Sequence, residues 1–196
     1  LERLFALLRI KSISADPAFS EDCKIAADHI AKDIASLGFA TDVRPTGGHP
    51  AIVGKSNGTG PRVMFYGHYD VQPVDPLNLW DNPPFEPSVK TLPDGRKAIV
   101  ARGAQDDKGQ LMTFVEACRA WKAVTGGFPV PITILIEGEE EVGSKNFGAF
   151  LKNNRSDLAA DFALVCDTNM WDQNTPAITT SLRGLVYEEV RIKAAN

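Results

Sequence analysis

Cysteine is scarce in this chain: Cys23, Cys118 and Cys166 are far apart, odd in number and set among apolar residues, with no C-x-x-C spacing. Such a set excludes a disulfide framework and a thiolate metal knuckle, and fits reduced core residues of a cytosolic protein. No apolar run approaches the roughly 18 residues of a membrane span, because charge interrupts the hydrophobic positions every few residues. Lys and Arg form no block and the net charge is -4, which argues against a general nucleic-acid binder. Internal repeats and low-complexity segments are missing as well. The opening "LERLFALLRI" is short and amphipathic and has no small-residue cleavage site of the signal-peptide kind. The expectation is a cytoplasmic protein with neither a membrane nor a nucleic acid as partner.

What is present is enough apolar sequence, 43% of 196 residues, to bury a core. "SEDCKIAADHIAKDIASLGF" carries apolar residues at 23, 26, 27, 30, 34 and 37, a helical stripe that stops at Gly38. His29 lies beside that stripe and reads as a partly exposed helix residue. Short strands are predicted at about 40 to 45, 50 to 54 and 62 to 67. A Pro-dense loop, "VDPLNLWDNPPFEP", covers 74 to 87 and is long enough to be a functional surface loop. A hairpin around "LPDGRKAIVARG" leads to a helix with apolar positions 111, 114, 115, 118 and 121. "VPITILIEGEEE" follows as a strand buried on both faces, then a helix over "SKNFGAFLKNN" and a further buried strand, "DFALVCD". Strands and helices alternate, so the predicted fold is α/β, with a largely parallel central sheet flanked by helices. Polar and apolar residues alternate from Leu185 to Ile192. Residues 182–196 therefore read as the first strand of a second domain, after a first domain over 1–181.

Polar clusters stand just after apolar runs: His68 with Asp70, Asp106 with Asp107, Glu139 to Glu141, and Asp167. His68 and Asp70 share a face if extension continues past Gly67, and a carboxylate beside an imidazole fixes its tautomer and raises its basicity. Each cluster alone has a plainer reading: a capped turn, a solvated loop, or carboxylates complementing a helix dipole. Together they belong at the carboxyl ends of the strands, where open α/β sheets bind ligands. Several carboxylates gathered in a cleft repel one another unless a cation joins them. A pair of divalent metals meets that need. Imidazole plus carboxylate without thiolate suits zinc, with manganese or cobalt as substitutes, and one further carboxylate can act as general base on water.

With these residues in place, the chain resembles the co-catalytic zinc exopeptidase and deacylase family that includes carnosinase-type dipeptidases, acetylornithine deacetylase and succinyl-diaminopimelate desuccinylase. "GHYDVQPV", "ARGAQDDKG", "EGEEEVGS" and "DFALVCDTN" are similar to its four metal motifs and run in family order, while "WDNPPFEP" and "PAITTSLRGL" lean towards the dipeptidase branch. The resemblance implies that His68 and Asp167 bind one metal, that Asp106 bridges both, and that Glu141 binds the second. Asp70 would orient His68 and Glu140 would be the general base, with Glu139 leaving a one-residue slip open. It implies a cis Asp106–Asp107 peptide, tolerance of other residues at Asp107, hydrolysis of dipeptides or, in the alternative, of N-acyl amino acids, and a homodimer formed through the second domain. A non-catalytic binding homologue is the third reading. The family also supplies a second-metal histidine and a substrate-contacting histidine, and His29 and His49 match neither motif. The chain is therefore expected to be the first part of a longer enzyme, with the fragment alone holding its second metal poorly.

Overall fold

A computed structural model describes residues 1–194. Helices α1 (Glu2–Leu8), α2 (Ser20–Ser36), α3 (Lys108–Thr125) and α4 (Phe147–Asn153) are interspersed with strands β1 (Ala40–Arg44), β2 (Ala51–Lys55), β3 (Val63–His68), β4 (Ser88–Thr91), β5 (Lys97–Val100), β6 (Ile132–Glu137) and β7 (Phe162–Val165). The main sheet has the order β1-β2-β6-β3-β7. Strand β3 pairs parallel with β6 and β7, while β2 pairs antiparallel with β1 and β6. All of its strands except β2 therefore run one way, as expected of a largely parallel sheet. β4 and β5 form the predicted hairpin apart from it.

The period of two along each strand sorts the core into two layers. Ile132, Ile134 and Ile136 of β6, with Ile52 and Phe65, face Leu7 of α1, Ala27, Ile30 and Ile34 of α2, and Leu111 and Val115 of α3. On the opposite face, Leu135, Ala51 and Val53 meet Phe147 and Phe150 of α4. β6 is buried along its whole length, which is why its sequence is continuously apolar and does not alternate. The stripe predicted on α2 is buried, and the chain turns away at Gly38 with φ +85°. His29 is half-buried on that helix. The loop over 74–87 is pinned by Phe85, which packs with Ile13 and Val71, and by a 2.9 Å bond from Trp80 Nε1 to the Val74 carbonyl.

Two expectations need correction or restriction. "DFALVCD" does form a strand, but it is not buried: Phe162 is 60% exposed and Val165 57%. β7 is an edge strand bonded only to β3, and no helix covers it among the described residues. Leu185 to Ile192, expected to be a strand, lies exposed and carries no strand. A strand needs a ladder partner, and none lies beside this segment among the described residues. Ala195 and Asn196 of the expected strand lie outside the described residues.

The parallel strands deliver their polar ends to one edge. His68 closes β3 opposite Glu137 of β6. Tyr66 is paired with Val165 of β7, so two further residues along both chains bring Asp167 beside His68. Asp106 and Asp107 precede α3 across the same edge.

Ile134 is fully buried between β2 and β3. Ile134→Ala should lower stability by about 2–5 kcal/mol in urea unfolding, whereas Val124→Thr, at a position 86% exposed, should stay within about 0.5 kcal/mol. All three cysteines are free, and burial pushes the Cys23 thiol up to about 12 and that of Cys118 up to about 11. Thiolate is the reactive form. Peptide mapping after iodoacetamide treatment at pH 8 should therefore find Cys23 and Cys118 unmodified in the native protein and alkylated once it is denatured.

Candidate metal centre

His68 is the pivot of the site and is fully buried. Its Nδ1 lies 3.1 Å from the Asp70 carbonyl oxygen and 3.3 Å from Asp70 Oδ1. A carbonyl can only accept, so Nδ1 carries the proton and donates. In the neutral ring this puts the lone pair on Nε2, the nitrogen that faces the carboxylates, a tautomer suited to a metal. Asp106 Oδ1 is 3.1 Å from Nε2, Asp167 Oδ2 3.6 Å and Glu140 Oε2 3.9 Å.

The backbone beside His68 is shaped for this approach. The His68 amide donates to Asp107 Oδ2 at 2.9 Å, and a Cβ on Gly67 would stand 2.7 Å from that oxygen. Only glycine leaves room for the carboxylate to lie against the strand end. Asp107 is turned inward on this task, with Oδ1 buried and without a partner. The Asp106–Asp107 peptide is cis, as the resemblance implied.

Asp70 is fully buried and accepts from every side. Ser14 Oγ donates to Oδ2 at 2.6 Å, the Glu141 amide to Oδ2 at 3.0 Å and the Glu140 amide to Oδ1 at 3.2 Å. The same carboxylate thus faces His68 and holds the glutamate loop against it.

The consecutive glutamates part company in the 3₁₀ turn Glu140–Val142, whose three residues per turn send successive side chains about 120° apart. Glu139 is buried, with both oxygens 3.0 Å from Asn146 Nδ2. Glu140 points towards His68. Glu141 Oε2 accepts from Gln72 Nε2 at 2.7 Å. The ligand atoms of His68, Glu140 and Asp167 all lie within 4.8 Å of one another. The structure thus brings the predicted base Glu140 into this tight group, reaches Asp106 through His68, and holds Glu141 beside it on Gln72.

The electrostatics follow from this crowding. Burial pulls the His68 imidazole down, but the bond to Asp70 and the charges of Asp70, Asp107 and Glu140 outweigh it and push His68 up to about 10. Burial, reinforced by Asp167 and Asp106 against the opposing His68, pushes Asp107 up to about 7. Burial also raises Glu140, Glu141 and Asp167, each with another carboxylate nearby. One imidazole nitrogen facing carboxylates is a donor set that fits a divalent cation of the zinc type, and mutual repulsion is what such a cation relieves. Beside Glu140 and Asp167 lies a cavity of about 410 Å³, lined also by Tyr66, Thr179, Thr180 and Leu182.

Sequence reasoning missed Ser14, Gln72 and Asn146, which hold Asp70, Glu141 and Glu139 respectively. Ser14 is more than fifty residues from its partner and bears no local signal. Among the described residues the His49 ring reaches the Ser14 carbonyl, at 3.3 Å.

The chain is 30% identical to Cys-Gly metallodipeptidase dug1 of Schizosaccharomyces pombe, over 97% of its own length and 42% of that protein. It is 31% identical to human Beta-Ala-His dipeptidase, over 93% of its length and 38% of that protein. It spans about two-fifths of the length of these curated relatives. Among solved structures, a M20 family metallo-carboxypeptidase from Sulfolobus solfataricus superposes with a TM-score of 0.76 at 32% identity, covering 85% of this chain and 37% of that one. Human carnosine dipeptidase 1 superposes with a TM-score of 0.76 at 27% identity, covering 87% and 38%. Residues 64–193 match the model of Peptidase family M20/M25/M40, and the chain belongs to that family.

Proposed function

We propose that the protein containing this chain is a metallopeptidase that hydrolyses the amide bond of dipeptides. The observation that carries this reading is the His68 ring, tied at Nδ1 by Asp70 and facing Asp106, Asp167 and Glu140 with Nε2. The dipeptidase names of the relatives support the substrate class.

Two divalent ions, zinc or manganese or cobalt in its place, would supply a lowered water pKa and Lewis acidity at such a site. His68, Asp106 and Asp167 would hold one ion. Asp106 and Glu141 would hold the other, together with a histidine from outside these 196 residues. Glu140 takes a proton from the attacking water as its oxygen bonds to the scissile carbonyl carbon. It returns that proton to the amine as the C–N bond breaks. Burial, with Glu141 and Asp167 beside it and His68 opposing, raises the Glu140 carboxyl, which suits a group that must both take and release a proton. Glu139 is disfavoured as the base because Asn146 occupies both of its oxygens. The cavity beside Glu140 gives a small substrate room to approach. In this reading residues 1–181 belong to the catalytic domain, and 182–196 begin a second α+β domain that covers the site and forms a homodimer. No helix among the described residues is long and apolar enough to cross a membrane, and a cytoplasmic enzyme is proposed.

In a panel of dipeptides and N-acyl amino acids, the metal-loaded full-length protein should cleave dipeptides, and Glu140→Gln should keep its metal while losing about 10²–10⁴-fold in kcat. Cleavage of acyl amino acids alone would move the substrate to the deacylase alternative. Equal turnover by parent and variant would reject Glu140 as the base, and no turnover by the loaded parent would leave a binding homologue. Asp70→Asn should weaken zinc binding about 10- to 100-fold in a chelator competition. Chelation should abolish turnover and lower the melting temperature, with zinc at 100 times its Kd restoring about 2.7 kcal/mol.

A further inference from the structure

Gln110 occupies the first turn of α3 and belongs to none of the groups that face His68. Its side-chain amide joins two loops distant in sequence: Nε2 donates to the Gln105 carbonyl at 3.0 Å, and Oε1 accepts from the Thr168 amide at 3.1 Å. Both partners are backbone groups, one only an acceptor and the other only a donor, so a single orientation of the amide satisfies both. The Gln105 carbonyl belongs to the peptide immediately before Asp106. The Thr168 amide belongs to the peptide immediately after Asp167. A second tie runs in parallel, from Gln105 Nε2 to Asn169 Oδ1.

We infer that Gln110 is a positioning residue that sets the spacing of Asp106 and Asp167 around His68 and thereby tunes metal affinity at the site they share. This inference rests on reading those three residues as ligands of one ion. The argument is mechanical. Asp167 follows β7, an exposed edge strand that nothing covers among the described residues, and Asp106 is itself 63% exposed. Packing does little for the Asp106 carboxylate, and that of Asp167, 30% exposed, sits just past the end of an edge strand. Gln110, in contrast, is carried by a helix whose neighbouring residues Lys108 and Leu111 are fully buried. A helix with buried neighbours grips both loops at the peptide adjoining each carboxylate residue, and outer partners of metal ligands typically govern metal affinity by 10- to 100-fold.

The test uses the full-length protein, with zinc alone as the probe in competition with a chromogenic chelator. Gln110→Met keeps the length of the side chain and removes both bonds. It should raise the Kd for zinc on the order of tenfold, and the binding step it weakens should be the one that Asp167→Ala abolishes. In the metal-free protein Gln110→Met should leave the melting temperature within a few degrees of the parent, while hydrogen exchange at the Thr168 amide speeds up. An unchanged zinc Kd would overturn the inference, as would a large fall in apo stability with unchanged affinity, which would mark a purely structural role. If Asp167→Ala binds zinc like the parent, the ligand reading itself fails and the clamp has no ion to position. If Asp167→Ala loses zinc and Gln110→Met does not, only the clamp falls.

Discussion

The site depends on one buried carboxylate. Asp70 is out of water, and an ionised carboxylate there is tolerable only if its lone pairs are filled. Ser14, the amides of Glu140 and Glu141, and the His68 ring fill them. These donors come from the segment after α1, from the turn after β6 and from β3 itself. Satisfying Asp70 therefore brings together three parts of the chain that no local rule connects. The same bonds settle which nitrogen of His68 is free and where Glu140 starts its turn. Loss of this carboxylate would disturb the imidazole and the glutamate loop at once, although it need touch no substrate.

Sheet topology does the coarser work. β3, β6 and β7 run in parallel, so their polar carboxyl ends share one edge even though His68 and Asp167 are about a hundred residues apart. β6 can end on a buried Glu137 because Tyr66 Oη and Ser144 Oγ donate to it at 2.7 and 3.0 Å. That arrangement anchors the glutamate turn from below while Asp70 holds it from the side. The edge position of β7 leaves the Asp167 loop the least supported of the set, which is where side-chain ties such as those of Gln110 and Asn169 matter most.

Much of this was legible in the sequence, for reasons that can be named. The β6 run and the α2 stripe are long and strongly patterned, and their burial followed the pattern. His68 and Asp70 stood out because a strand period puts them on one side. The glutamate run was less legible: Glu139, Glu140 and Glu141 are chemically identical, and what separates them is the direction each takes in a 3₁₀ turn and the chance neighbours Asn146 and Gln72. The exposure of β7 was also hidden, because an apolar strand reads alike whether or not something covers it. Ser14 and Gln110 were invisible because each matters through a hydrogen bond to a residue more than fifty positions away, which leaves no periodic trace.

The charge balance explains why the site calls for a cation that the chain does not itself bring. Of the basic side chains close in sequence to the carboxylates, Lys145 is exposed, and Arg102 and Lys108 are engaged elsewhere. Arg102 donates to the Pro73 carbonyl at 2.9 Å and lies over the Trp80 ring. Lys108 is buried, donates to the carbonyls of Ile10 at 2.7 Å and Leu7 at 3.3 Å, and is lowered by burial to about 7. A lysine so placed closes the end of α1 and carries only part of its positive charge at neutral pH. With both turned away, His68 is the one basic group facing Asp106, Glu140 and Asp167 among the described residues. A proton on Nε2 can offset only part of that negative charge, and it occupies the lone pair that the Asp70 contact exposes. A divalent ion offsets more of the charge and uses that lone pair as a bond, so the tautomer set by Asp70 and the crowding of the carboxylates favour the same occupant.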